Sequence, residues 1–403
     1  MDTTAKIEKW IFYFLGGYAL LSNVTIAGSN VFLGLAVAAA VVRLAKKHDD
    51  WRERLKVDKD LGKPFFLFVG VMVITSLFSL DILTSYDELF NHYVNRIVPF
   101  LLVLMFVRDK TRLIKLGMLV GGSIIINAIM CILQTYGVVD DEGSRGRAPG
   151  LIGIMMTAGM MSMWIPVLTL LVMECKKRYR LWLIIALFIS VLGMIYNGTR
   201  GAWLAVVITV CVTSIIYAKN KLKVLVVFLL FGIALGCIVN NVPWMQQRVA
   251  SMTQTYENRS NRERLYLWQS ARNMTADYPL TGVGYGCFRE QYQTKYILPE
   301  AEERRLTHAH SNFFHVMAES GYPGAVAVCI WWLGTIVYCA KGWKKYNNIG
   351  YLTFMAIFLG IMLQGATEYT MGDSIVMKLF WFGLGLSYQW TKIKDDEIQS
   401  GAV

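Results

Sequence analysis

His308, His310 and His315 stand within eight residues of one another in H308-A-H-S-N-F-F-H-V-M-A-E-S-G-Y-P-G324, in a chain of 403 residues that has only five histidines. Imidazole is the side chain whose ordinary titration falls near neutral pH, so such a cluster can accept protons or ligate metal. Glu319, four residues after His315, adds a carboxylate. Three chemistries fit the pattern. One is a general base. A second is a zinc site made from H-x-H-x4-H with Glu319, although the spacing matches no familiar zinc pattern. The third is hydrogen-bonded packing at a membrane interface.

Cationic groups that could serve such a base lie in two other stretches. N197-G-T-R-G-A-W203 puts Arg200 at the boundary between two apolar segments. N261-R-E-R-L-Y-L-W-Q-S-A-R272 carries Arg262, Arg264 and Arg272. In that stretch Leu265, Trp268, Gln269 and Arg272 recur at helical spacing, which predicts a helix on the membrane surface with Leu265 and Trp268 buried. Guanidinium forks match phosphate oxygens, so Arg200 at a lipid boundary suits an anion; the structural alternative is snorkelling, or pairing with Glu368 or Asp373. The turn P279-L-T-G-V-G-Y-G-C-F288 contains G-x-G-x-G but no strand–helix unit around it, so a tight turn back to the membrane fits better than a dinucleotide loop. D58-K-D60 lies in a basic loop and reads as ordinary loop charge.

The elements that must hold these residues follow from composition. The chain is 55% hydrophobic and 17% charged, and its apolar residues form blocks of about 17–25, the length needed to cross a bilayer. The sequence predicts an all-α polytopic membrane protein with about twelve crossings, at 10–27, 30–45, 64–84, 93–107, 113–136, 151–173, 181–197, 201–218, 222–240, 322–340, 350–367 and 373–390. The first two are weakly divided by S22-N-V-T-I-A-G-S-N30; with no A-x-A site behind it, the first is kept as a membrane helix. With the N-terminus inside, the loops 43–63, 108–115, 176–180, 219–223 and 341–345, together with both termini, hold 26 of the 40 basic residues. The opposite loops, such as 84–89 and 138–143, read as neutral or acidic, and the exception is the long segment 241–309. That asymmetry predicts an even number of crossings with both ends cytoplasmic. The net charge of +12 is mostly this topological signal plus affinity for anionic lipid, not a nucleic-acid footprint. The predicted organisation is nine crossings over 1–240, an external loop over 241–309, an interfacial helix with three crossings over 310–391, and a tail over 392–403. Gly321 and Pro323 place the start of the tenth crossing near 322, which leaves 310–320 as a short interfacial helix. Seven cysteines show no metal-ligand spacing, and Cys287 is alone in the long segment.

A site facing away from the cytoplasm, with imidazole and guanidinium groups and no Walker loop, must draw its energy from a lipid-borne substrate. A lipid pyrophosphate suits it: arginines stabilise the charge of the departing group while the histidine deprotonates an acceptor hydroxyl for in-line attack.

These residues resemble a family. H310-S311, nine residues, then G321-Y-P-G324 is similar to the H-[NSQ]-x9-G-x-x-G signature of bacterial O-antigen ligases. T199-R-G-A-W203 resembles their helix-flanking arginine turn, and R264-L-Y-L-W268 with 279–288 resembles the large periplasmic loop shared with O-antigen polymerases and O-linked oligosaccharyltransferases. The resemblance implies a GT-C-like fold in the bacterial inner membrane with its active site in the periplasm. It implies transfer of a glycan from undecaprenyl pyrophosphate to a sugar hydroxyl of the lipid A core, without metal, nucleotide or other cofactor. It implies His310 as base and Arg200 and Arg264 as pyrophosphate contacts, with His308, Arg262, Arg272 and Glu319 in support; Arg262 takes the place of Arg264 if the loop helix is rotated. About 400 residues and one long loop favour the ligase over the oligosaccharyltransferases, which usually carry additional C-terminal sequence. A polymerase joining repeat units on the same carrier, and a transporter of polyprenyl-linked sugars, are the competing readings.

Overall fold

The computed structural model describes residues 3–46, 51–140, 146–241, 243–254 and 256–400. Parts of the predicted basic loop (47–50), of the predicted acidic loop (141–143) and of the predicted tail (401–403) lie outside the described residues. Among the described residues the chain is helical, without strands. Seven helices are long and apolar enough to cross a membrane: Ile26–Lys46, Ile82–Phe106, Lys110–Thr135, Ile154–Glu174, Lys177–Asn197, Arg200–Tyr217 and Asn312–Tyr346; Ile349–Gln364 is a shorter apolar helix. Helices also occupy Thr3–Leu21, Lys59–Ser76, Lys221–Asn241 and Ser374–Gln399, at the other predicted crossings. Large apolar side chains stand bare on the outside, Trp182 at 71%, Leu229 at 63% and Leu333 at 63% exposure. Surfaces of that kind are stable against lipid rather than water.

The first two helices form a hairpin. Its turn buries Ser22 and Asn23, and the Asn23 amide donates to Ser123 Oγ at 2.8 Å. The predicted third crossing, 64–84, is interrupted: the helix ends at Ser76, and the predicted loop 84–89 is instead part of the helix Ile82–Leu89. Asp81 explains the interruption, because its carboxylate caps the new helix by accepting from the Thr84 amide at 3.1 Å.

A second, smaller core lies over the bundle. Leu267, Ala271 and Met274 of the helix Arg259–Asp277 pack there with Phe288, Tyr292, Tyr296 and Ala318. The buried stripe of that helix is Glu263, Leu267, Ser270, Ala271, Met274 and Thr275, not the Leu265–Trp268–Gln269–Arg272 stripe that apolar spacing predicts. The face inward holds small and polar groups because it has polar partners: Glu263 accepts from the amides of Glu302 and Glu303, both at 3.1 Å, and Ser270 donates to the Tyr296 carbonyl at 2.7 Å.

The helix Asn312–Tyr346 breaks at Gly321 (φ 66°, ψ −166°) into a short leading helix and a long one. A break frees backbone groups that must find partners. The segment 279–284 supplies them: the Val283 amide donates to the Ala318 carbonyl at 2.9 Å, Gly284 to the Glu319 carbonyl at 3.1 Å, and Tyr322 to the Pro279 carbonyl at 2.9 Å. The glycine-spaced turn is therefore a splint for the break. Gly321 adopts a backbone region essentially closed to other residues, and an added Cβ would meet the Pro279 carbonyl oxygen at 2.5 Å. Gly321→Ala is expected to lose about 1–3 kcal/mol to backbone strain, plus the steric clash, and so to lower the melting temperature in detergent. Gly117→Ala, where nothing stands within 4 Å, serves as control; equal melting temperatures for the two variants would contradict the splint.

Candidate functional site

His310 sits between the splinted helix and the loop 365–373. Its backbone is left-handed (φ 46°), one of two described non-glycine residues in that region. Such a conformation is held only where the surroundings over-determine it. Two fixtures do so. Behind His310, Trp268 donates from Nε1 to the Ala309 carbonyl at 3.1 Å and stacks on Phe314 with ring centres 4.9 Å apart. Ahead of it, Ser311 caps the helix, and fully buried Asn312 fastens the facing loop. The Asn312 amide nitrogen donates to the Gly365 carbonyl at 2.7 Å, its Nδ2 to Thr370 Oγ1 at 2.9 Å, and its Oδ1 accepts from the Met371 amide at 3.0 Å.

That loop presents Glu368 to His310, with Nδ1 at 3.0 Å from Oε1 and 3.1 Å from Oε2. Burial raises the Glu368 carboxyl, but the hydrogen bond and charge from His310, with His308 and Arg264, outweigh it and hold the group below its ordinary value. The carboxylate therefore fixes the proton on Nδ1 and leaves Nε2 as the basic nitrogen. His308 crosses His310 edge-on with ring centres 4.2 Å apart. Burial first, then the neighbouring His310, pushes His308 down to about 4, so it is neutral at pH 7.

Arginines gather on the other side of the same loop. Arg264 donates from Nε to the Thr367 carbonyl at 3.0 Å, one residue before Glu368, and from Nη1 to Ser260 Oγ at 2.8 Å. Arg200 donates to the Ser251 carbonyl and hydroxyl, both at 2.7 Å, and to Asn261 Oδ1 at 3.0 Å. The predicted ion pair of Arg200 with Glu368 or Asp373 is not formed, because His310 takes Glu368 and Asp373 caps the helix Ser374–Gln399. Arg147 joins them, donating to Thr199 Oγ1 at 2.7 Å. The turn at Gly198 brings Arg248 alongside, since a Cβ there would lie 3.5 Å from Arg147 Cγ and 3.4 Å from Arg248 Nη2. Burial, then the charges of Arg248, Arg264 and Arg200, push Arg147 down to about 10. Four guanidinium groups gathered in this way repel one another and concentrate positive charge on this side of the loop.

Two predicted supporting arginines are elsewhere. Arg262 is turned to the Tyr256 carbonyl and to Glu302, so Arg264 and not Arg262 faces the His310 loop. Arg272 is exposed and is not in the wall of the cavity that holds His310. Glu319 is placed deeper: fully buried, it pairs with His315 Nε2 at 3.3 Å and accepts from the Phe288 amide at 3.2 Å.

A cavity of about 570 Å³ lies on the histidine side of the loop, lined by His92, His308, His310, His315, Glu319, Glu368 and Tyr369 among others. Arg200 and Arg264 are not in its wall; Arg264 grips the Thr367 carbonyl of the loop that forms it. Four of the five histidines meet there, and the fifth, His48, lies outside the described residues. The zinc set predicted from His308, His310, His315 and Glu319 does not come together. The ligand atoms that do converge, within 4.8 Å of one another, belong to His308, His310 and Glu368.

Sequence reading passed over Arg147, His92, Asn312 and Tyr369, and met Glu368 only as a partner for Arg200. Arg147 carried a signal, being a basic residue in a loop assigned to the non-basic side, the feature that singled out Arg200. The others had none, since their meaning lies in what they face.

Residues 185–329 match the family model described as O-antigen ligase, a stretch that holds Arg200, Arg264, His310 and Glu319. No curated protein matches the chain.

His308 titrates near 4 in the folded chain against 6.5 ordinarily. Between those values the unfolded chain binds more protons, so stability is complete above 6.5 and declines as pH falls toward 4. Thermal unfolding between pH 7 and 4 is expected to lose more stability in the wild type than in His308→Gln; identical pH slopes would show that His308 is not buried neutral.

Proposed function

We propose that this membrane protein, whose residues 185–329 match the O-antigen ligase family model, transfers a glycan from undecaprenyl pyrophosphate to a sugar hydroxyl of the lipid A core. One observation carries the reading. A histidine with its Nδ1 on a buried carboxylate and an arginine cluster share the two sides of a single loop, 365–373.

In the proposed reaction His310 Nε2 removes the proton of the acceptor hydroxyl as the oxygen attacks the anomeric carbon of the donor. The bond from that carbon to the pyrophosphate oxygen breaks, and the polyprenyl pyrophosphate leaves with the bonding pair. Glu368 keeps the imidazole in the required tautomer and stabilises it once protonated, as a carboxylate does for a general-base histidine. Arg264 and Arg200, with Arg147 and Arg248 beside them, meet the charge that grows on the leaving group; the buried surroundings strengthen that attraction. His308, neutral and packed against His310, positions the base. The polytopic assembly of twelve crossings, the long periplasmic loop 241–309 and a GT-C-like arrangement in the inner membrane belong to the same reading, with both termini cytoplasmic and the loop 365–373 facing the periplasm.

The reaction as written needs no metal. His308, His310 and Glu368 are close enough to ligate one, yet His310 Nδ1 and Glu368 are already hydrogen-bonded to each other, which favours the base. Chelation is expected to leave turnover unchanged; loss on EDTA with recovery on zinc would replace the base with a metal centre.

His310→Ala is expected to abolish transfer while the protein still inserts in the membrane, and retained turnover would remove His310 from the mechanism. Arg264→Lys and Arg147→Lys keep charge but lose the fork, each with an expected loss of about 10- to 100-fold, equivalent to roughly 1.5–3 kcal/mol of a charge-assisted hydrogen bond. Deletion of the gene distinguishes the two activities of the family. Long polymer stranded on its carrier with unmodified core is the ligase outcome, and core bearing single repeat units would make the protein a polymerase.

A further inference from the structure

The cavity and the arginine cluster are oppositely charged. Glu88, Glu319, Glu368 and Asp373 line the cavity against two arginines, Arg96 and Arg289. Arg147, Arg200, Arg248 and Arg264 are absent from its wall. A pyrophosphate is repelled from the first region and attracted to the second. The cavity therefore selects a different ligand, one that donates hydrogen bonds to carboxylates without bringing negative charge.

Glu319 shows where such a donor belongs. It is 1% exposed, and its Oε1 is occupied by the Phe288 amide and His315. Its Oε2 has no hydrogen-bond partner among the described residues. A buried carboxylate oxygen left unfilled costs free energy that a bound donor recovers. Beside it, Glu88 pairs with His92 at 3.2 Å, and Tyr369 lies against the His315 ring with centres 3.7 Å apart. A wall of carboxylate–imidazole pairs beside an aromatic face suits the hydroxyls and the C–H face of a sugar ring, and a volume of about 570 Å³ is that of a small-molecule site.

We infer that this acidic cavity is the acceptor subsite for an uncharged sugar ring, and that Glu319 accepts a hydrogen bond from one of its hydroxyls, setting the attacking hydroxyl toward His310. The assignment rests on the transfer reaction proposed above and adds which substrate lies on which side of the loop 365–373. Donor pyrophosphate takes the arginine side, and the acceptor takes the acidic side.

The test is steady-state transfer by the full chain in lipid nanodiscs, with undecaprenyl-pyrophosphate-linked glycan as donor and polymer-free core glycolipid as acceptor. Glu319→Gln turns an amide donor toward the cavity and is expected to raise the acceptor KM about tenfold or more, the worth of one hydrogen bond to a charged group, with the donor KM unchanged. Glu88→Gln, at a half-exposed position where folding is not at risk, is expected to raise the acceptor KM several-fold in the same selective way. Arg264→Lys is expected to leave the acceptor KM unchanged while transfer falls and the donor KM rises. Inorganic pyrophosphate is expected to compete with donor and not with acceptor. An unchanged acceptor KM in both glutamate variants, a rise in donor KM instead, or competition between pyrophosphate and acceptor would each overturn the subsite. The transfer reading fails separately, on an active His310→Ala variant; loss of activity there with normal acceptor KM in the glutamate variants would overturn the subsite alone.

Discussion

The helix break at Gly321 is the constraint on which the rest depends. A continuous helix from Asn312 to Tyr346 would carry His315 and Glu319 along one straight axis, with the Ala318 carbonyl bonded to the Tyr322 amide and the Glu319 carbonyl without a partner, because Pro323 has no N–H. With Gly321 in a conformation that only glycine tolerates, both carbonyls turn instead to the amides of Val283 and Gly284. The exchange satisfies both carbonyls, and its yield is geometric. The leading helix is set at its own angle, its N-terminus meets the loop 365–373, and the segment that follows Arg264 and Trp268 is locked to it. Disruption of either partner leaves buried backbone groups unsatisfied, which is far costlier than the bonds themselves are stabilising.

A second consequence is that one loop stands between an imidazole–carboxylate pair and a set of guanidinium groups. Residues 365–373 are pinned by Asn312 from the histidine side and gripped at the Thr367 carbonyl by Arg264 from the other. Glu368, between those two anchors, is held at the His310 ring. A short loop anchored in this way sets the distance between the His310 imidazole and the guanidinium cluster without either touching the other. The left-handed backbone of His310 lies on one side of it, and the mutually repelling Arg147, Arg200, Arg248 and Arg264 are reached from the other through Arg264.

The stretch that matches the O-antigen ligase model ends at residue 329. Arg147, His92, Glu368 and Tyr369 lie outside it, yet they supply the fourth guanidinium, the partner carboxylate and part of the cavity wall. The matched stretch contributes His310 and three of the four clustered arginines, Arg200, Arg248 and Arg264, and the flanking segments complete their surroundings. His308 and Arg147 are shifted by groups from three separate parts of the chain. Both residues lie in connecting segments, and their burial there keeps those shifts large, because little water is present to screen them.

The sequence by itself determined the helical membrane class, since runs of apolar residues and the placement of Lys and Arg are local properties that a bilayer reads directly. It also determined His310, Arg200 and Arg264 as candidates, and the break near Gly321, because a histidine cluster, misplaced arginines and a Gly-Tyr-Pro-Gly step are visible without knowing any neighbour. The tertiary structure alone decided which of Arg262 and Arg264 faces the loop, why Glu263 and not Leu265 is buried, and that Glu368 pairs with His310 rather than with Arg200. The physical reason is the same in each case. The orientation of a polar side chain is fixed by the hydrogen-bonding group opposite it, and here that group comes from residues 39, 58 or 103 positions away. No periodicity within one helix carries that information, and burial alone does not predict it.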